Sequence, residues 1–254
     1  MKKALAVAAL AAVAVTGCGP LLYPVPAPAK DAAHPGMRAL ELPTRGEPAR
    51  ALYVPPADGR AVVAFFHGNG TDIEQCRWLA AELATDGIGT LLVEYPGYGH
   101  AAGAPSEEAI YRAAARALDE IPRLEAKRPR LVLVGQSLGS AVAVEMAIRG
   151  YGDALVLISP FSSIPDIVDG MVPFGLGGLF VTDHFDSWSK ARAVPIRTVV
   201  AQGDADWVVP IAMARDVAER IPRATFETFV GAGHNDMFDR DGGRLLAIIR
   251  DLSR

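Results

Sequence analysis

A serine hydroxyl becomes a nucleophile when a base takes its proton and a carboxylate orients that base. This sequence holds candidates for all three parts. The β-rich run Leu131-Val132-Leu133-Val134 leads into Gly135-Gln136-Ser137-Leu138-Gly139-Ser140 and then into the helix-forming Ala141-Val142-Ala143-Val144. A strand that turns sharply into a helix forces the serine into a strained backbone, and the flanking glycines let neighbouring chain pass without a side-chain clash. Ser137 would then stand above the strand end at a helix N-terminus, where the backbone N–H of Leu138 is free to donate. The chemistry such a serine performs is acyl transfer.

Five histidines compete for the role of base. His34 precedes Pro35, and His184 lies in a long connection. His67 and His100 sit inside glycine loops that serve other ends. His234 stands in Gly231-Ala232-Gly233-His234-Asn235-Asp236, after the last β-rich run and before the last helix, and is the candidate base. For the carboxylate, Gln202-Gly203-Asp204-Ala205-Asp206 offers two. Asp206 is favoured because it lies deeper in the loop, whereas Asp204 beside Gly203 suits turn formation. Asp236 and Asp239 are weaker alternatives near His234. A developing oxyanion needs N–H donors, and His67-Gly68-Asn69-Gly70 can aim the Asn69 N–H alongside that of Leu138.

These residues must be carried by a scaffold that ends several strands at one place. Short apolar runs at 61–66, 90–95, 131–134, 154–159, 196–201 and 225–229 alternate with helical periodicity at 73–85, 106–125, 141–149 and 211–220, with a last helix at 242–252. Continuous rather than alternating apolar strands imply burial on both faces, hence a parallel sheet between helices. The expected class is α/β, a mostly parallel doubly wound sheet, with an antiparallel hairpin at 38–42 and 49–54 on one edge. Ligands in such sheets bind beyond the carboxyl ends of the strands, where every candidate residue above falls.

Composition sets outer bounds. Half of the 254 residues are hydrophobic and the net charge is −4, which suits one large globular domain and not a disordered chain. Near balance of 25 basic against 29 acidic residues excludes the footprint of a nucleic-acid binder. Two cysteines cannot form a disulfide framework or a structural zinc site. No dinucleotide fingerprint or phosphate loop is present, since Gly68-Asn69-Gly70 lacks the following lysine; neither cofactor nor metal is expected.

The N-terminus reads as an address. Met1-Lys2-Lys3 precedes an apolar run from Ala4 to Val15, too short for a comfortable bilayer span and fitting a signal peptide. Val15-Thr16-Gly17-Cys18 resembles the bacterial lipoprotein signal, which implies a lipid on Cys18, export and a cell-envelope location, with Gly19 favouring the outer membrane. The expected organisation is a leader at 1–17, a proline-rich semi-rigid spacer at 18–36 and a domain at 37–254.

Taken together, His67-Gly68-Asn69-Gly70, Glu94-Tyr95-Pro96-Gly97-Tyr98-Gly99, Gly135-Gln136-Ser137-Leu138-Gly139, Ser159-Pro160-Phe161, Gly203-Asp204-Ala205-Asp206 and Gly233-His234-Asn235-Asp236 resemble the α/β-hydrolase superfamily. They are most similar to its small serine hydrolases, among them protein depalmitoylases, esterases and lysophospholipase-like enzymes. The order Ser137, Asp206, His234 matches that family's triad. Gln202 stands where relatives usually carry His, Glu94 where Asp is common, and Ala101 where serine is frequent. The resemblance implies a serine hydrolase acting on esters or thioesters, with a peptidase or amidase, or a non-catalytic ligand-binding lipoprotein, as alternatives; a monomer is expected. Residues 160–194 leave room only for a small cap. Met171, Phe174 and Leu179 within it, with Trp207, are candidates for an acyl-chain wall; covering the sheet edge is the competing role.

Overall fold

The computed structural model describes residues 22–24, 36–43, 49–171 and 177–254. The expected leader, Cys18, most of the spacer, His34 and Phe174 lie outside them. Eight strands form one sheet in the order β1-β2-β4-β3-β5-β6-β7-β8. They are β1 (Arg38–Leu42), β2 (Ala49–Val54), β3 (Val62–Phe66), β4 (Gly89–Glu94), β5 (Leu131–Gln136), β6 (Ala154–Ile158), β7 (Arg197–Gly203) and β8 (Ala224–Phe229). β1 pairs antiparallel with β2, and β2 antiparallel with β4; every later pairing is parallel.

Alternation along the strands divides the core in two. On one face Val62, Ala64, Phe66 and Leu133 pack with α2 (Glu107–Leu118), α4 (Leu138–Ile148) and α7 (Ile211–Arg220). On the other, Val63, Phe65, Val132 and Val134 pack with α1 (Arg77–Ala84) and α8 (Met237–Leu252). Because both faces are covered, the central strands tolerate no polar residue except at their ends. Glu94 ends the fully buried β4 and Gln202 nearly ends β7, and each is buried. Both therefore need polar partners.

Several helix bounds differ from expectation for local reasons. The expected helix at 106–125 is two, α2 and the single turn α3 (Ile121–Leu124) with Pro122 in its first turn. Ser106 caps α2, its hydroxyl accepting from the Ala109 N–H at 3.2 Å. The last helix begins at Met237 and carries a non-helical Asp241 (φ −145°, ψ 41°) before Gly242. The cap consists of α5 (Ile164–Met171), a 3₁₀ turn at Gly177–Phe180 and the short α6 (Ser187–Lys190).

One residue of the expected spacer packs on the domain. Tyr23, placed by sequence in an extended spacer, is only 2% exposed and packs with the domain core. Proline-rich composition favours an extended backbone but cannot show that one aromatic ring has a socket elsewhere. Among the described residues, no helix is long and apolar enough to cross a membrane.

Candidate active site

Ser137 sits between β5 and α4 with φ 50° and ψ −117°, a conformation few non-glycine residues adopt. Packing enforces it. A Cβ on Gly135 would come within 2.1 Å of the Gly139 carbonyl oxygen, and one on Gly139 within 1.9 Å of the Phe66 carbonyl oxygen. The turn thus backs onto β3, and only glycine fits at either side. The Ser137 N–H donates to the Ile158 carbonyl at 2.9 Å, and the Ser140 hydroxyl donates to the Ser137 carbonyl at 2.6 Å. These bonds hold the strained residue in place.

Three loops from three strand ends then converge. His234 Nε2 lies 2.9 Å from Ser137 Oγ, and His234 Nδ1 lies 2.8 Å from Asp206 Oδ2. A carboxylate can only accept, so the Nδ1 proton is directed at Asp206 and the Nε2 lone pair at the serine hydroxyl. His234 and Asp206 are both buried. Asp206 Oδ1 accepts the N–H groups of Val208 (2.9 Å) and Val209 (2.8 Å), while Oδ2 also accepts from Gln202 Nε2 at 2.9 Å. Burial pushes the Asp206 carboxyl up, but the hydrogen bond and charge of His234, with the two backbone donors, hold it below the usual aspartate range.

The other carboxylates of these loops do different work. Asp204 Oδ1 accepts the Gly231 N–H at 2.6 Å and ties the β7 loop to the β8 loop. Asp236 Oδ1 accepts the Gly233 N–H at 2.6 Å, which shapes the turn bearing His234. Neither contacts an imidazole, so the two loops meet with Asp206 alone against His234.

The loop after β3 lies beside the serine: a Cβ on Gly68 would be 3.5 Å from Ser137 Cβ. Among the described residues the N–H groups of Asn69 and Leu138 make no hydrogen bond, which leaves both available as donors. The upstream half of this loop is braced from within. His67 Nε2 is 2.9 Å from Glu94 Oε1, its Nδ1 is 2.9 Å from the Gly68 carbonyl, and its ring stacks on Tyr95 at 4.1 Å. The Tyr95 hydroxyl donates to the His67 carbonyl at 2.9 Å. Glu94 Oε2 accepts the Ile73 N–H.

Sequence reading missed two of these positioning groups, Gln202 and the His67–Glu94 pair. A polar side chain at the end of a wholly apolar strand was the available signal, since burial there demands a partner. The acyl-wall candidates differ in exposure. Leu179 is 78% exposed, Trp207 is 76% exposed, Met171 is half-buried, and Phe174 lies outside the described residues. Among the described residues no cluster of ligating groups could hold a metal.

Known proteins resemble this chain in sequence and in fold. The family described as serine aminopeptidase, S33, matches residues 57–177, which include Ser137. The uncharacterized protein Rv2307c of Mycobacterium tuberculosis is 33% identical over 203 residues, spanning 78% of this chain and 72% of that one. The alpha/beta hydrolase domain-containing protein aho-3 of Caenorhabditis elegans is 30% identical over 206 residues, 79% of this chain and 60% of that one. The crystal structure of the Pyrococcus furiosus esterase Pf2001 superposes with a TM-score of 0.75 at 14% identity, covering 90% of this chain and 97% of the other. At that identity the likeness is one of fold.

Proposed function

We propose that this chain, which has the α/β-hydrolase fold and matches the S33 family over residues 57–177, is a serine hydrolase cleaving carboxylic esters or thioesters. The observation that carries the reading is the unbroken chain from Ser137 Oγ through His234 to Asp206, with hydrogen bonds of 2.9 and 2.8 Å. Ser137 Oγ attacks the substrate carbonyl carbon while His234 Nε2 takes the hydroxyl proton. Asp206 holds the ring and stabilises the imidazolium so formed. The tetrahedral oxyanion accepts from the Asn69 and Leu138 N–H groups. As the intermediate collapses, the bond to the alkoxide or thiolate breaks and His234 returns its proton to the leaving group. Water, deprotonated by the same imidazole, then releases the acid and restores Ser137.

A second reading, hydrolysis of amide bonds, draws support from the S33 aminopeptidase match. Turnover of p-nitrophenyl esters against aminoacyl-nitroanilides separates the two. The direct test of the common mechanism is labelling by a fluorophosphonate probe. Labelling at Ser137 that vanishes in Ser137→Ala is expected; an unlabelled native chain overturns the reading and favours a non-catalytic ligand-binding role.

The remaining parts of the proposal concern substrate and place. The acyl chain is assigned to the cap side, beside Met171, Phe174, Leu179 and Trp207. In a complex with a fatty-acyl phosphonate it should touch one of the first three, and a chain running elsewhere removes that role. The enzyme works as a monomer, exported and held in the cell envelope by lipid on Cys18. Cys18→Ala should leave the protein in the soluble fraction.

A further inference from the structure

The loop that carries the proposed oxyanion donor is supported unequally. Its first half, His67 and Gly68, is buried and braced by Glu94 and Tyr95. Its second half, Asn69 and Gly70, faces outward and is held by Tyr98 and by residues 22–24. Asn69 Nδ2 donates to the Leu22 carbonyl at 2.8 Å, and Asn69 Oδ1 accepts from the Tyr98 hydroxyl at 2.5 Å. The Pro24 carbonyl oxygen lies 3.7 Å from where a Cβ on Gly70 would stand. Between those two residues Tyr23 is anchored on the domain. Its hydroxyl donates to Asp183 Oδ2 at 2.7 Å, and its ring meets Tyr98 and Phe185 edge-on, each at 6.5 Å between centroids. Asp183 is fixed in turn, its Oδ1 accepting the Glu107 N–H at the start of α2.

We propose that Leu22-Tyr23-Pro24 is a strap that positions the oxyanion loop, so that the N-terminal segment is a working part of the active site. The inference rests on the serine hydrolase reading above. Tyr23 is the anchor, Asn69 the contact, and Tyr98 the shared neighbour of both. Turning the side chain does not by itself turn the backbone N–H, but a side chain anchored at both polar ends restrains φ and ψ of an exposed loop residue, and those angles set the N–H direction. Held at both ends, the residue keeps its N–H aimed where negative charge develops. Preorganised donors are effective because they do not reorient during the reaction.

The test uses the full chain and four variants: Tyr23→Ala, Tyr23→Phe, Asn69→Ala, and the Tyr23→Ala/Asn69→Ala double. Steady-state kinetics on a p-nitrophenyl ester and the rate of Ser137 phosphonylation are measured, with circular dichroism to verify folding. Losing an oxyanion donor outright costs about 10²- to 10³-fold in kcat, and a mis-aimed one should cost about tenfold. Tyr23→Ala and Asn69→Ala are each expected to lower kcat and phosphonylation by that factor with KM changed less than about twofold. Tyr23→Phe, which keeps the ring contacts, should recover most of the loss. The double variant should be no slower than either single one, because both break the same link. Unchanged kcat in Tyr23→Ala, or losses that multiply in the double variant, overturns the strap. Should Tyr23→Ala fail to fold, Tyr23→Leu takes its place with the same expectations. A native chain that resists phosphonylation sinks the hydrolase reading itself, whereas equal phosphonylation of native and Tyr23→Ala chains sinks the strap alone.

Discussion

Gln202→Glu tests the carboxylate end of the site with a sign that can be worked out beforehand. Gln202 Nε2 lies 2.9 Å from Asp206 Oδ2, 3.0 Å from the Val209 carbonyl and 3.3 Å from the Gly203 carbonyl. Its Oε1 is buried without a partner among the described residues. The substitution puts a second carboxyl group against Asp206. Two unit charges at that separation repel by roughly 6 kcal/mol at an effective dielectric constant near 20, equivalent to ~4 pKa units. The pair must therefore hold one proton at neutral pH. Asp206 keeps His234 and two N–H donors that favour its ionised form, whereas the introduced group faces two carbonyl oxygens that favour a donor. The proton belongs on the introduced group, whose pKa is raised in the folded state. Its stability cost is absent below the unfolded glutamate value near 4.3 and grows by ~1.4 kcal/mol per pH unit until the raised folded pKa is passed. Thermal unfolding of the native and Gln202→Glu chains from pH 4 to 8 reads this directly. The difference in Tm should be small at pH 4 and widen steadily, while Gln202→Met should show a pH-independent offset. A Gln202→Glu offset without slope would mean that this side chain does not face the Asp206 carboxylate in solution.

Other expectations follow from the same geometry. Gly139→Ala should give insoluble or unlabelled protein, because its Cβ would meet the Phe66 carbonyl oxygen at 1.9 Å and β3 cannot retreat. Gly242→Ala, with open space around the new methyl, should be neutral or add up to ~1 kcal/mol in denaturant melts. Asp206→Asn should lower kcat by about 10⁴-fold on a p-nitrophenyl ester, since the imidazole loses its orienting charge. Because the folded Asp206 pKa lies below its unfolded value, its contribution to stability is present above pH ~4 and lost as pH falls through the folded value. Asp206→Asn should remove that part of the acid transition. Glu145 bridges Lys190 at 2.7 Å and Arg149 at 2.8 Å, tying α4 to the cap. Glu145→Gln should cost about 1.5 kcal/mol, seen as a Tm lower by about 4 °C.

What sequence alone determined about this protein is what consecutive residues dictate by sterics. The turn at Ser137 is legible because Gly135 and Gly139 are demanded by backbone contacts of 2.1 and 1.9 Å. Apolar runs buried on both faces likewise announce a parallel sheet, and the observed strand order bears out the doubly wound class with its antiparallel edge. Helix bounds were less legible, since Pro122 and Asp241 break segments whose periodicity runs on. Only the tertiary structure decided between Asp204 and Asp206, which share one loop and one charge. The loop's path sends the first to the Gly231 N–H and the second to His234. It also seats Tyr23 on the core, through a hydrogen bond to a residue 160 positions away. Local patterns record what the backbone can do, but a buried polar or aromatic side chain finds its partner in space, and that partner's position in the chain leaves no mark beside it.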